Sequence, residues 1–254
     1  MYPPKELIDF NTPKMNSPSK ALGTTSQCLL DVDIIITKVE PGKESESGKM
    51  DLVPFFDSHM HLDRLAGRAR LGRPYNLSSC MTEMLQRSQP DLKPLYGLTE
   101  VTAVFCDPAE WSNLLDRDQR LMLTSDERMH FAFGIHPKKL YDVMDAATNI
   151  NSEVLSRLWD LLKWEKAVAL GEVGIDYTAS SNWENADMQQ SGLIQILKHF
   201  KQDLTERNLP VVLHCRNHAN VDRDAHDTAR SIVESVLGND HIIQVHYFTG
   251  GKMK

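Results

Sequence analysis

Six short apolar runs, each followed by a stretch with helical spacing, constrain this chain more than any other feature. The runs are Val53–Asp57, Glu100–Cys106, Phe131–Ile135, Ala167–Val173, Pro210–His214 and Ile242–His246. Most are apolar at successive positions rather than alternating, which is the pattern of strands buried on both faces. Between them, Val154, Leu155, Leu158, Leu161 and Leu162 repeat at helical spacing behind an expected Ser152 cap. Leu193, Leu197, Phe200 and Leu204 make a second stripe, and Ala229, Ile232, Val233 and Val236 a third. Pro108 falls in the first turn of the helix expected at Trp111, Leu114 and Leu115. Strands alternating with helices predict an α/β fold, a parallel sheet covered by helices.

The polar chemistry collects where the runs end. Run one closes in Asp57-Ser-His59-Met-His61-Leu-Asp63 and run three in Gly134-Ile-His136-Pro137. Run four carries Gly171-Glu172-Val-Gly174-Ile-Asp176-Tyr177, run five ends in His214-Cys-Arg216, and run six in His246-Tyr-Phe-Thr-Gly250. A parallel barrel builds its site from the C-terminal ends of successive strands. An open doubly wound sheet would carry a glycine-rich phosphate loop after its first strand, and this sequence has none. The fold expected is a TIM-type (β/α) barrel.

Residues 1–50 read differently. Pro3, Pro4, Pro13 and Pro18 lie among Ser, Thr, Asn and Lys, a composition that cannot bury a core. Asp31–Val39 has the makings of a short strand, but Pro41–Gly48 then reads as linker. The division expected is a disordered or weakly structured extension over 1–50 and a barrel domain over 51–254. Net charge is −7, which argues against a protein held to nucleic acid by bulk positive charge. No run approaches the roughly 18 consecutive apolar residues of a membrane span, and the N-terminus lacks the apolar core of a secretory signal. Cys28, Cys80, Cys106 and Cys215 are scattered with no CxxC pair, as in a reducing compartment. These features lead us to expect an intracellular protein of the cytoplasm or nucleus with no membrane partner.

His59 and His61 are two apart at a strand end and therefore share a face. Imidazole suits zinc and related ions, and carboxylate oxygen suits magnesium and manganese too. Such a pair alone is a weak signal. Glu172 places a carboxylate inside an apolar strand, where it is costly unless paired or coordinated. His214 and His246 end two later strands. Each residue singly reads as a hydrogen-bonded core or rim side chain; five of them at four strand ends of one barrel read as a metal centre. His136 stands equally as a substrate contact or a structural residue. Asp63 and Asp176 are either caps or carboxylates that orient ligand histidines. Arg216 suits phosphate oxygens or a salt bridge. Cys215 should point away from His214. Arg64, Arg68, Arg70 and Arg73 are either a nucleic-acid contact or a solvated face.

The strings FFDSHMHLD, AVFCDP, FGIHP, ALGEVGIDY, PVVLHCR and VHYFTG resemble the ordered motifs of TatD-type metal-dependent deoxyribonucleases, in particular the eukaryotic branch with an extended N-terminus. The resemblance implies a barrel related to the amidohydrolases, two divalent ions (Mg, Mn or Zn), and hydrolysis of phosphodiester bonds in DNA from an end, by metal-activated water. It makes His59 and His61 ligands of one ion, Glu172 the catalytic bridge between both, and His214 and His246 ligands of the other. From the residues themselves, His136, Asp176 and Arg216 are the candidates for substrate binding. The family has eight strands and a further metal-binding aspartate on the eighth. The six runs start about 38 residues apart on average, so two more units need about 60–80 residues beyond Lys254. The expectation is thus an incomplete barrel of about six of eight units, poorly soluble or partly unfolded alone. Two other readings stand beside the nuclease. One is an amidohydrolase acting on a small amide or ester, although many of these carry a modified lysine on strand four and none lies between Ala167 and Tyr177. The other is a non-catalytic fragment with a binding role only.

Overall fold

The computed structural model describes residues 53–88, 96–179, 183–218, 221 and 223–246. All six apolar runs are strands: β1 (Val53–Met60), β2 (Tyr96–Phe105), β3 (Met129–Phe133), β4 (Ala167–Asp176), β5 (Val211–Arg216) and β6 (Ile243–His246). They form one parallel sheet in the order β1-β2-β3-β4-β5-β6. Between them lie α1 (Leu62–Ala69), α2 (Leu77–Ser88), α3 (Trp111–Leu115), α4 (Arg117–Thr124), α5 (Leu140–Val143), α6 (Ser152–Leu162), α7 (Trp183–Glu206) and α8 (Ala225–Leu237). The sheet curls until its first and last strands face each other: the rings of His59 and His246 stack 3.5 Å apart. These are six consecutive units of a (β/α) barrel.

Strand alternation divides the buried residues into two layers. Towards the helices point the large side chains, including Phe105, Phe131, Phe133, Leu170 and Leu213, joined by Trp164 from the turn before β4. Trp164 meets Phe131 and Phe133 edge-on, at 5.4 and 5.2 Å between centroids. The inner layer is small: Val104, Cys106, Ala132, Ala169 and Val212. The predicted stripes on α6, α7 and α8 supply the cover, with Leu158, Leu161, Leu193, Leu197, Phe200, Ala229 and Val233 buried. Cys215 joins the outer layer, away from His214 as expected.

Several boundaries differ from expectation, among them the end of β1 at Met60, the start of β3 at Met129 and the end of β5 at Arg216. The cap of α6 is Asn151, whose side chain accepts the Glu153 N–H at 2.8 Å, and Ser152 is the first helical residue. Both residue types cap well, and the one placed just outside the helix takes the role. β2 starts at Tyr96 and β4 continues to Asp176, because pairing with a neighbour carries a strand past its apolar stretch. The expected extension over 1–50, the short strand at Asp31–Val39 and the boundary near Asp51 lie outside the described residues. Among the described residues no helix is long and apolar enough to cross a membrane.

Candidate metal centre

The site forms at the C-terminal ends of the strands. β1 delivers His59, and His61 occupies the N-cap position of α1. On β4, Ala169 and Gly171 follow the inward parity, so simple alternation would aim residue 172 at the helices. A bulge prevents this. The register steps from Gly171 opposite Val212 to Val173 opposite Leu213, leaving Glu172 as the extra residue, and such an insertion re-aims a side chain. Glycine makes room around it. A Cβ on Gly134 would lie 2.6 Å from the Glu172 carbonyl oxygen, and one on Gly174 (φ +147) would lie 2.1 Å from the His214 carbonyl oxygen.

Glu172 is 1% exposed and imidazoles converge on it. Its Oε1 lies 3.3 Å from His59 Nε2, 3.3 Å from His214 Nδ1 and 3.5 Å from His246 Nε2; its Oε2 lies 3.4 Å from His61 Nε2. The Cys106 thiol at the end of β2 donates to Oε2 at 3.3 Å. Burial pushes the Glu172 carboxyl up, but contacts with His214, His59 and His61 outweigh it and hold the group well below the usual carboxylate range. Burial and the neighbouring His59 push His246 down to about 4.

This donor set fits a divalent cation. The N···O separations exceed the usual hydrogen-bond range of about 2.7–3.2 Å. They match the edge of about 3.4 Å expected between two tetrahedral ligands with bonds of about 2.1 Å. His59 Nδ1 and Nε2 and His61 Nδ1 are buried without a hydrogen-bond partner, a costly state for polar nitrogen unless an ion takes the lone pair. Two overlapping groups have ligand atoms all within 4.8 Å of one another: His59, His61 and Glu172, and His136, Glu172 and His214.

The remaining residues surround these groups. Asp176 is 0% exposed; its Oδ2 lies 3.1 Å from His214 Nε2 and 3.3 Å from Lys138 Nζ, and its Oδ1 accepts the Thr178 N–H at 2.8 Å. Although burial raises the Asp176 carboxyl, His214 and Thr178 hold it well below the usual range. Burial lowers His214, yet the two carboxylates on either side raise it. Gln189 on α7 grips the Asp176 main chain from both ends, accepting its N–H at 2.7 Å and donating to its carbonyl at 3.1 Å. His136 is buried, with its ring 4.4 Å from that of His214; burial and His214 push it down to about 3. Arg216 ends β5 beside Asp176 in register. Asp63 is raised by burial and leaves Oδ1 without a partner. Of the four arginines, Arg73 is paired with Glu110, while Arg64, Arg68 and Arg70 are exposed on α1 and its cap.

A family model described as TatD-related DNase matches residues 56–254. The chain belongs to the TatD family. The human 3'-5' RNA nuclease TATDN2 is 24% identical over 196 residues, which is 77% of this chain and 22% of that protein. The chain therefore spans about a fifth of the curated relative it matches. Two solved structures are similar. One is an uncharacterized amidohydrolase from Saccharomyces cerevisiae, with a TM-score of 0.46 and 18% identity over 72% of this chain and 51% of that one. The other is the Escherichia coli TatD homologue YJJV, with a TM-score of 0.45 and 21% identity over 78% of this chain and 61% of that one. The motifs that resemble TatD proteins in sequence are those that bring His59, His61, His214 and His246 to one carboxylate, Glu172. Cys106, Lys138 and Gln189 are additions that sequence reasoning missed.

Proposed function

We propose that this chain is a metal-dependent nuclease that hydrolyses phosphodiester bonds in DNA from an end. The observation that carries the reading is one buried carboxylate faced by four imidazoles at 3.3–3.5 Å, with buried ring nitrogens left unpartnered. In it, His59, His61 and Glu172 would hold one divalent ion, and Glu172, His214 and His246 would hold a second. When bound, such ions polarise the attacking water and neutralise charge on the phosphoryl oxygens.

The chain's own residues do the rest. Glu172, the catalytic carboxylate of this reading, would be shared between the two ions, since imidazoles of both sets face it. Asp176 keeps the His214 ring turned towards Glu172. His136 and Arg216 contact the phosphate from β3 and β5, Arg216 offering a planar fork of donors to its oxygens. Glu172 takes the β4 position where many amidohydrolases carry a modified lysine, which favours phosphodiesters over small amides or esters.

The test is cleavage of end-labelled DNA by the purified 254-residue chain with Mg, Mn or Zn, alongside Glu172→Gln and a metal analysis. Stepwise products that vanish with the variant support the reading. RNA is assayed in parallel, because the human relative is named as an RNA nuclease. Turnover of amides or esters with intact nucleic acid would move the chain to the amidohydrolase reading. Metal binding without turnover of any of these would leave it a binding fragment.

A further inference from the structure

His136 belongs by distance to one of the two ligand groups, together with Glu172 and His214. Its hydrogen bonds argue for a different task. The His136 side chain accepts the Lys138 main-chain N–H on Nδ1 at 3.1 Å. Only an unprotonated ring nitrogen accepts, so Nδ1 is bare and the proton of the neutral imidazole sits on Nε2. A nitrogen that carries a proton has no lone pair for an ion. His214, whose ring is 4.4 Å away, is held the opposite way. Asp176 Oδ2 lies 3.1 Å from its Nε2 and, as an ionised carboxylate, can only accept. That puts the proton on Nε2 and leaves Nδ1 bare, 3.3 Å from Glu172 Oε1, which is how a carboxylate prepares a histidine for a metal.

Resting on the phosphodiester reading above, we infer that His136 is a fixed hydrogen-bond donor to a phosphoryl oxygen of the substrate and not a ligand of either ion. Its backbone is built for a fixed donor. Pro137 follows it, restricting His136 to extended conformations, and it has φ −56 and ψ 137. Its N–H donates to the Cys106 carbonyl on the neighbouring strand end at 2.9 Å, and its own carbonyl accepts the Lys139 N–H at 2.7 Å. A ring anchored in this way brings an N–H to the centre without reorganisation, the condition under which a donor favours developing charge most.

The decisive experiment combines proton position, metal content and turnover. Nitrogen-15 spectra of the zinc-loaded full chain report which His136 nitrogen carries the proton. His136→Gln and His136→Ala are then compared with wild type for metal stoichiometry, thermal melting and hydrolysis of bis(p-nitrophenyl) phosphate. The expected results are a proton on Nε2 and wild-type metal content in both variants. Turnover should fall by about 10²-fold in the alanine variant, the usual loss for one such donor, and recover most of this in the glutamine variant, whose amide nitrogen replaces Nε2. A proton on Nδ1, or loss of an ion from either variant at an unchanged melting temperature, makes His136 a ligand and overturns the inference. Equal failure of Gln and Ala at full metal content overturns the donor role. Absence of phosphodiesterase activity in the wild type overturns the nuclease reading instead, and the ligand question is still decided by metal content and proton position.

Discussion

Asp176 shows how much a single side chain controls at this centre. With His214 Nε2, Lys138 Nζ and the Thr178 N–H all directed at its two oxygens, it fixes the ring that faces Glu172. Replacing it with Asn keeps the shape but allows the amide to present N–H to His214 and turn the ring. Asp176→Asn should therefore weaken metal binding by about 10–100-fold, read by titration calorimetry, with little change in melting temperature. The arginines are separable in the same way. Arg64 sits on α1 immediately beyond His59 and His61, whereas Arg73 is engaged by Glu110. Arg64→Ala should lower DNA affinity and reduce the slope of log K against log salt by about one; Arg73→Ala should leave the slope nearly unchanged. His59, His61, Glu172, His214 and His246 were legible in the sequence because a polar group ending an apolar run is conspicuous. Cys106 was not, because a thiol counts as apolar in such a pattern. Lys138 acts partly through its main-chain N–H, which no side-chain motif records, and Gln189 reaches Asp176 from a helix.

At the scale of elements, caps and bulges decide what the pattern leaves open. Asp224 caps α8, its side chain accepting the N–H groups of His226 and Asp227 at 2.7 and 3.1 Å. Asp224→Ala should cost about 0.5–2 kcal/mol, measured by denaturant unfolding near neutral pH. Burial raises this carboxyl, but the Asp227 N–H, the Asn217 amide and the His226 N–H outweigh it and lower the pKa from 3.8. A carboxyl depressed in the fold stabilises above its unfolded value. The difference between wild type and variant should thus be full near neutrality and shrink as pH falls through 3.8 towards the folded value. Element type and order were readable from periodicity, since each apolar run is short and each stripe is long. The bulge that turns Glu172 inward was not readable: alternation assigns it to the helix side, and only pairing with β5 reveals the extra residue. The Ser152 expectation failed by one position for a related reason, as Asn151 and Ser152 both suit a cap and the chain path chooses between them.

For the molecule as a whole, the centre is both a site and a brace. Candidate ligands from β1, β4, β5 and β6 face one carboxylate, so an ion bound there would tie the two ends of the curled sheet together. An ion that binds only the folded state stabilises it by about 2.7 kcal/mol when free metal is 100-fold above its dissociation constant. Chelation should therefore lower the melting temperature by several degrees, and adding metal back should restore it; scanning calorimetry with and without chelator checks this. The curl that makes such bracing useful also dictates an order of events. Ser58 and Gln244 approach to 3.5 Å although they are 186 residues apart in the sequence, and the stacked rings of His59 and His246 lie beside them. During synthesis, β1 is made before the other five strands, and its Ser58 meets Gln244 of β6 only after the chain has grown by a further 186 residues. A nascent chain ending after β4 holds His59, His61 and Glu172 without either later histidine. Full loading of such a centre would in this sense be a late checkpoint, reached only by chains that have already added β5 and β6 to the sheet.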